Sequence, residues 1–227
     1  MTINFTEFSG QEGSSQAGAL RVKPKRGLYG RIGKRVLDIA LVAAAAPFVV
    51  PVVAALAVAI AADGGKPFYS QMRVGRAGKP FRMWKLRSMV PDADQRFQAY
   101  LDENPEARAE WEEKQKLTDD PRITRIGQFI RKSSLDELPQ LWNVLTGEMS
   151  LVGPRPMMLN QQMLYPSTAY YRLRPGLTGY WQTIGRSKSS FEARALYDTA
   201  YDRDLSLATD VRLIYRTIGV VIGGTGC

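Results

Sequence analysis

The sequence predicts a helix-rich α+β domain held on a membrane by one proline-broken, re-entrant helix. Three observations carry that expectation. Residues 39–62 run 24 positions without a charge, residues 67–89 mix aromatic and β-branched side chains around Gly75 and Gly78, and residues 204–222 alternate apolar clusters with Arg212 and Arg216. With 227 residues, 44% of them hydrophobic, the chain can build one ordinary core.

In chain order, residues 1–27 are rich in Gly, Ser, Gln and Lys without apolar periodicity and read as a disordered tail. Residues 28–66 form a basic flank and the membrane helix, and residues 67–227 a cytoplasmic region continuous with it. The uncharged run would be about 36 Å long as a helix, enough to cross a hydrocarbon core of about 30 Å. Pro47 and Pro51 near its middle each remove a backbone donor, so a kink or break is expected there. Seven Lys or Arg precede the run between Arg21 and Arg35, and Lys66, Arg73, Arg76, Lys79, Arg82, Lys85 and Arg87 follow it. Basic flanks on both sides place both ends in the cytoplasm, which a re-entrant helix satisfies and a straight span does not. A spanning helix and a buried core helix remain the alternatives.

Residues 67–89 read as short strands joined by a turn. Residues 92–120, with ten acids against four bases, read as a solvated helical stretch. Residues 204–222 suit an amphipathic helix lying in the membrane interface.

The formal charge of +9 asks for an anionic partner: a phosphorylated substrate, an acidic membrane surface or nucleic acid. A nucleic-acid module would leave the uncharged run without a purpose, so no nucleic acid is expected. Histidine is absent, which excludes Ser-His and Cys-His catalysis and nearly all zinc sites. Acid–base work then falls to carboxylates, Lys or Tyr. The one cysteine, Cys227, is the last residue, so neither an intrachain disulfide nor a prenylation signal is expected.

The window richest in chemistry is residues 131–141. Ser134 followed by Glu137 has the spacing of a capping box, and local pattern alone makes it the start of a helix through about Leu145. A helix start also favours phosphate and keeps a nearby carboxylate ionised, which would leave Asp136 a usable nucleophile. Arg131 and Lys132 stand beside it to offset phosphate charge. Lys85 and Arg87 form a second basic window, and Arg155 sits between two prolines that fix its backbone for bidentate phosphate binding. Arg174 opens a Pro- and Gly-rich stretch suited either to a structural turn or to a wall beside a nucleotide or sugar. Asp92-Ala-Asp94 and Asp202-Arg-Asp204 match a short acidic metal pattern that arises often by chance. Gly-x-Gly-x-x-Gly and the phosphate-loop motif are absent.

Six ordered blocks together resemble the bacterial sugar transferases, the small monotopic phosphoglycosyl transferases. They are Lys34-Arg35-Val-Leu-Asp38, Gln71-Met-Arg-Val-Gly75, Lys85-Leu-Arg-Ser-Met89, Ser134-Leu-Asp-Glu-Leu-Pro-Gln-Leu141, Asn143 through Pro156, and Arg174-Pro-Gly-Leu-Thr-Gly179. The branch most similar starts exopolysaccharide synthesis on the cytoplasmic face of the bacterial inner membrane. The resemblance implies transfer of galactose or glucose phosphate from a UDP-sugar to undecaprenyl phosphate. In it the residue matching Asp136 attacks the β-phosphate, releases UMP and holds the sugar-phosphate covalently. It implies Mg2+ near Asp136, with Glu137 assisting at the metal or the acceptor. Membrane lipid, a second copy of the chain and polysaccharide-assembly proteins are the further partners to consider. The chain has Ala46-Pro47 where the family commonly has Ser-Pro, and Gly185-Arg-Ser187 where it often has Gly-Arg-Asn.

Overall fold

The computed structural model describes residues 27–62, 64–114, 117–185 and 191–222. The tail expected for residues 1–27 lies, except for Gly27, outside them, as do Arg186, Ser187 and Cys227. Tyr29–Gly33 forms a π-helical turn that leads straight into α1, Lys34–Ala61, whose mean hydropathy reaches 2.5 in the uncharged run. Pro47 and Pro51 do not break the helix: α1 continues through both as one element, and both prolines are exposed.

A helix of this length spans about 40 Å, yet both its ends pack on the same body. Near its start Val42 joins Phe81, Met83, Val144 and Met149 in one apolar cluster. Near its end Ile60 joins Leu86 and Ile130 in another, with Leu56 and Leu135 packed against them. Between these anchors the apolar side chains are bare, Phe48 at 78% exposure and Val50 at 63%. Uncovered apolar surface on this scale is stable only against lipid or another protein.

The first anchor is reinforced by the block that precedes the run. Arg35 donates to the backbone carbonyls of Val144 and Leu145, and Asp38 accepts from Ser150 Oγ and Leu151 N, each at 3.0 Å. Lys34 Nζ donates to Asp210 Oδ2 at 2.7 Å, and the same carboxylate accepts from Tyr29 Oη at 2.5 Å and Tyr201 Oη at 2.6 Å. Asp210 is fully buried, and this converging set of donors satisfies its carboxylate.

After α1 come β1, Phe68–Val74, and β2, Pro80–Leu86, an antiparallel hairpin in which Tyr69 faces Lys85 and Arg73 faces Phe81. Alternation puts Tyr69, Gln71, Arg73, Met83 and Lys85 on one face of the ribbon. The acidic stretch forms two helices, α2 (Ala93–Glu103) and α3 (Pro105–Lys114). They fold back around Arg122, whose guanidinium lies 3.8 Å from the centroid of the Phe97 ring while pairing with Asp120 at 2.6 Å. Next, α4 (Arg125–Lys132) starts at Thr124, whose Oγ1 accepts from Gly127 N at 2.9 Å.

The remaining elements close the domain. These are α5 (Gln140–Thr146), β3 (Ser150–Val152), α6 (Ala169–Arg172), β4 (Gly176–Thr178), α7 (Arg194–Asp204) and α8 (Leu207–Ile222). β3 and β4 pair in parallel, and where they meet a Cβ on Gly153 would stand 2.2 Å from the Arg174 carbonyl oxygen. The glycines of the two late motifs therefore let the strands touch. The amphipathic helix expected over residues 204–222 forms as α8, starting three residues later at Leu207 after α7 ends at Asp204, and it exposes Leu207, Val211, Tyr215 and Ile218 along one side.

Candidate active site

Asp136 and Glu137 lie on a short 3-10 turn, Leu135–Glu137, between α4 and α5. The capping box and the continuous helix to Leu145 do not form. Ser134 is left-handed, with φ 57°, and caps nothing with its side chain, while α5 starts only at Gln140, after Pro139. The left-handed residue lets the chain double back after α4 and presents the two acids to β2. There Lys85 Nζ donates to Glu137 Oε1 at 2.8 Å and to Asp136 Oδ2 at 3.3 Å, one ammonium bridging two carboxylates. Asn143, fully buried, sets the spacing. Its Oδ1 accepts from Trp84 N at 3.1 Å, and its Nδ2 donates to the Arg82 carbonyl at 2.7 Å and Glu148 Oε2 at 2.6 Å. The strand bearing Lys85 is thereby tied to the helix that follows the acids.

Sharing Lys85 does not make the two acids equal. Burial pushes the Asp136 carboxyl above its usual range, and Glu137 pushes it further, against the pull of Lys85 and Arg131. Burial also opposes ionisation of Glu137, but Lys85 and Arg155 outweigh it and hold that carboxyl below its usual range. The ionised state of Asp136 therefore depends on neighbouring cations, not on a helix terminus as the sequence pattern suggested.

A narrow cleft opens beside this pair, lined by Arg73, Lys85, Glu137, Gln140 and Arg155. The Arg155 guanidinium lies 5.6 Å from the centroid of the Trp181 ring, and Arg194, from the start of α7, lies 4.2 Å from the same ring and 5.0 Å from Phe191. The Nε atoms of Arg73 and Arg194 are buried without a hydrogen-bond partner, each a destabilising feature of about 1–3 kcal/mol. Arg73 stands in one of the six blocks and in the basic flank but was given no site role, and Arg194 was not singled out at all. Alternation along the hairpin from Lys85 could have found Arg73; Arg194 carried no signal.

Lys85, Arg155 and the two acids thus converge, and Arg131 lies close enough to act on the charge of Asp136. Arg87 and Arg174 are engaged in the scaffold. Arg87 donates to the carbonyls of Lys66, Met89 and Ile60, closing the end of α1, and Arg174 Nε donates to the Gly147 carbonyl at 2.9 Å. Of the short acidic patterns, Asp92 and Asp94 are exposed on α2, Asp202 pairs with Arg172 at 2.6 Å, and Asp204 accepts from Tyr180 Oη and Arg203. No group of three or more potential metal ligands occurs among the described residues. The Asp136–Glu137 pair offers two adjacent carboxylates, the usual protein share of a magnesium shell that substrate phosphates and water complete.

A sequence profile of bacterial sugar transferases matches residues 29–224. The chain belongs to the bacterial sugar transferase family. It is 45% identical over 198 residues to the UDP-galactose-lipid carrier transferase of Erwinia amylovora, covering 86% of this chain and 42% of that protein. It is 46% identical over 161 residues to the exopolysaccharide production protein ExoY of Sinorhizobium fredii, covering 70% of this chain and 71% of that one. A third relative, the undecaprenyl-phosphate galactose phosphotransferase of Salmonella typhimurium, is 46% identical over 166 residues, 72% of this chain and 35% of its own. This bacterial sugar transferase therefore spans less than half the length of the first and third of these relatives. The matched span takes in α1, the paired acids and the arginine-lined cleft, so membrane helix and site form one unit of the family.

Proposed function

We propose that this bacterial sugar transferase moves galactose or glucose phosphate from a UDP-sugar to undecaprenyl phosphate, as the first membrane step of exopolysaccharide synthesis. The observation that carries the reading is Lys85 bridging Asp136 and Glu137 at the mouth of an arginine-lined cleft. In the first step an Asp136 carboxylate oxygen attacks the β-phosphorus. The bond from that phosphorus to the bridging oxygen breaks, and its electron pair leaves with UMP. In the second, an oxygen of undecaprenyl phosphate attacks the phosphorus held on Asp136, restoring the carboxylate and giving the lipid diphosphate sugar. Lys85 keeps Asp136 ionised as the nucleophile and limits its repulsion of the incoming phosphate. Glu137, ionised more readily, holds Lys85 in place. Mg2+ held by Asp136, with Glu137 beside it, would offset diphosphate charge.

The membrane assignment follows from α1. Both ends rest on one domain and the middle is apolar and bare, so the helix would enter and leave the bilayer on the same, cytoplasmic, face of the inner membrane. The exposed apolar side of α8 would lie in the interface.

Purified protein given UDP-galactose or UDP-glucose, magnesium and undecaprenyl phosphate should release UMP, and Asp136→Asn should abolish release with an unchanged melting profile. Release of UDP in place of UMP would contradict the mechanism.

A further inference from the structure

Arg73 and Arg155 line the cleft, Arg194 stacks on the same Trp181 ring as Arg155 and feels the charge of both, and none of the three has an acid at ion-pair distance among the described residues. Burial, then the nearby Arg155, pulls the Arg73 and Arg194 guanidiniums below their ordinary range. Arg73 does donate to Gln71 Oε1 at 2.6 Å, but that partner is neutral. Asp198 stands near Arg194, yet its carboxylate accepts from Tyr165 Oη at 2.5 Å, and burial lifts its pKa to about 7. The arrangement is preorganised: Arg155 and Arg194 share the Trp181 indole, which holds the guanidiniums in place before any ligand arrives. Clustered cations with buried unsatisfied donors are the complement of a multiply charged anion.

Position decides which anion. Leu135, next to Asp136, packs on the end of α1, so the carboxylate end of the cleft adjoins the membrane helix. The arginine end is backed by Tyr165, Tyr170 and Phe191, a cluster to which α1 contributes nothing. Along the shared hairpin face Arg73 is four residues from Tyr69, the partner of Lys85, or about 13 Å between backbones. Long side chains from both positions can reach two linked phosphates lying between them. The lipid acceptor belongs at the carboxylate end and a water-soluble group at the other.

We propose that Arg73, Arg155 and Arg194 bind the phosphate of the departing nucleoside monophosphate, making this end of the cleft the nucleotide site and the carboxylate end the sugar-phosphate site. This rests on the transfer reaction proposed above. When the bond between the two phosphates breaks, the electron pair moves onto the bridging oxygen and adds a negative charge to the nucleotide phosphate. The three guanidiniums stand where that charge develops, and they stabilise it more than the ground state.

The test is UMP binding to the full chain in lipid nanodiscs, read as affinity and as the UMP-induced rise in melting temperature. Arg194→Gln, and Arg155→Gln at an exposed and structurally safer position, should each weaken UMP by roughly tenfold or more, as expected for loss of a charge-assisted phosphate contact. Both should raise the donor KM and leave the undecaprenyl phosphate KM unchanged. Without UMP, Arg194→Gln should melt no lower than wild type, since it removes a guanidinium whose buried Nε has no hydrogen-bond partner; a purely structural arginine would melt lower. Wild-type UMP affinity in both variants, or a rise in the acceptor KM alone, would overturn the assignment. If wild-type protein captures sugar-phosphate on Asp136 while the variants bind UMP normally, only this inference fails. If wild-type protein neither captures it nor binds UMP, the transfer reading beneath it fails as well.

Discussion

Asp198 is buried beside Arg194 and hydrogen-bonded to Tyr165, and burial raises its carboxyl to about 7. Between the ordinary carboxylate pKa, about 4, and that value the folded chain keeps a proton the unfolded chain has lost. Its contribution to stability is therefore complete below about 4 and is lost as pH rises through about 7. Asp198→Asn, uncharged throughout, should gain on wild type in melting temperature between pH 5 and pH 8. A gap that stays constant over that range would contradict the assignment. At this scale the sequence was readable where a motif named the residue: Asp136, Glu137, Lys85 and Arg155 all reach one place. It was not readable where burial sets the chemistry. The pattern that made Ser134 a cap also assigned Asp136 its charge through a helix terminus. The structure replaces both with a left-handed residue and a shared lysine.

Among the elements, α1 and α8 are joined through Asp210, which accepts from Lys34, Tyr29 and Tyr201 in a site closed to water. Asp210→Ala leaves the Lys34 charge buried without its partner and should destabilise the fold by about 3–5 kcal/mol. Thermal melts in detergent check this. Recovery in the double variant Lys34→Met/Asp210→Leu is expected, because a well-packed apolar pair removes the unmatched charge. A single variant that melts like wild type would show the latch to be dispensable. The uncharged run, the hairpin and the late amphipathic helix were legible from periodicity. The division of the window after Arg131 was not, because its cause is tertiary: Lys85 on β2 bonds Asp136 from 51 residues earlier in the chain, and Asn143 on α5 is tied back to Trp84 and Arg82 of the same strand. Gly176 sits in the stretch read as a turn or a wall and Gly153 in the block around Arg155, and their use, direct contact of two parallel strands, depends on a pairing that local sequence does not encode.

For the molecule as a whole, the proposed re-entrant arrangement rests on both ends of α1 packing on one domain. In a Cys227→Ser background, single cysteines at Leu28 and Lys66 should both react with a membrane-impermeant maleimide in inverted vesicles and both be shielded in right-side-out ones. Labelling of the two positions from opposite sides would contradict the re-entrant arrangement and favour a span. Charge flanks support the same proposed topology, and α1 continues as one helical element through Pro47 and Pro51. The long apolar helix, paired acids and cleft all lie within the span that matches the bacterial sugar transferase family. The central claim is that Asp136 carries the sugar-phosphate between donor and acceptor. Mass spectrometry of the protein incubated with UDP-galactose or UDP-glucose and magnesium, without acceptor, tests it most directly. One hexose-phosphate adduct, located on Asp136 and discharged by undecaprenyl phosphate, is the expected result. An unmodified Asp136 in protein that still turns over with acceptor present would contradict it.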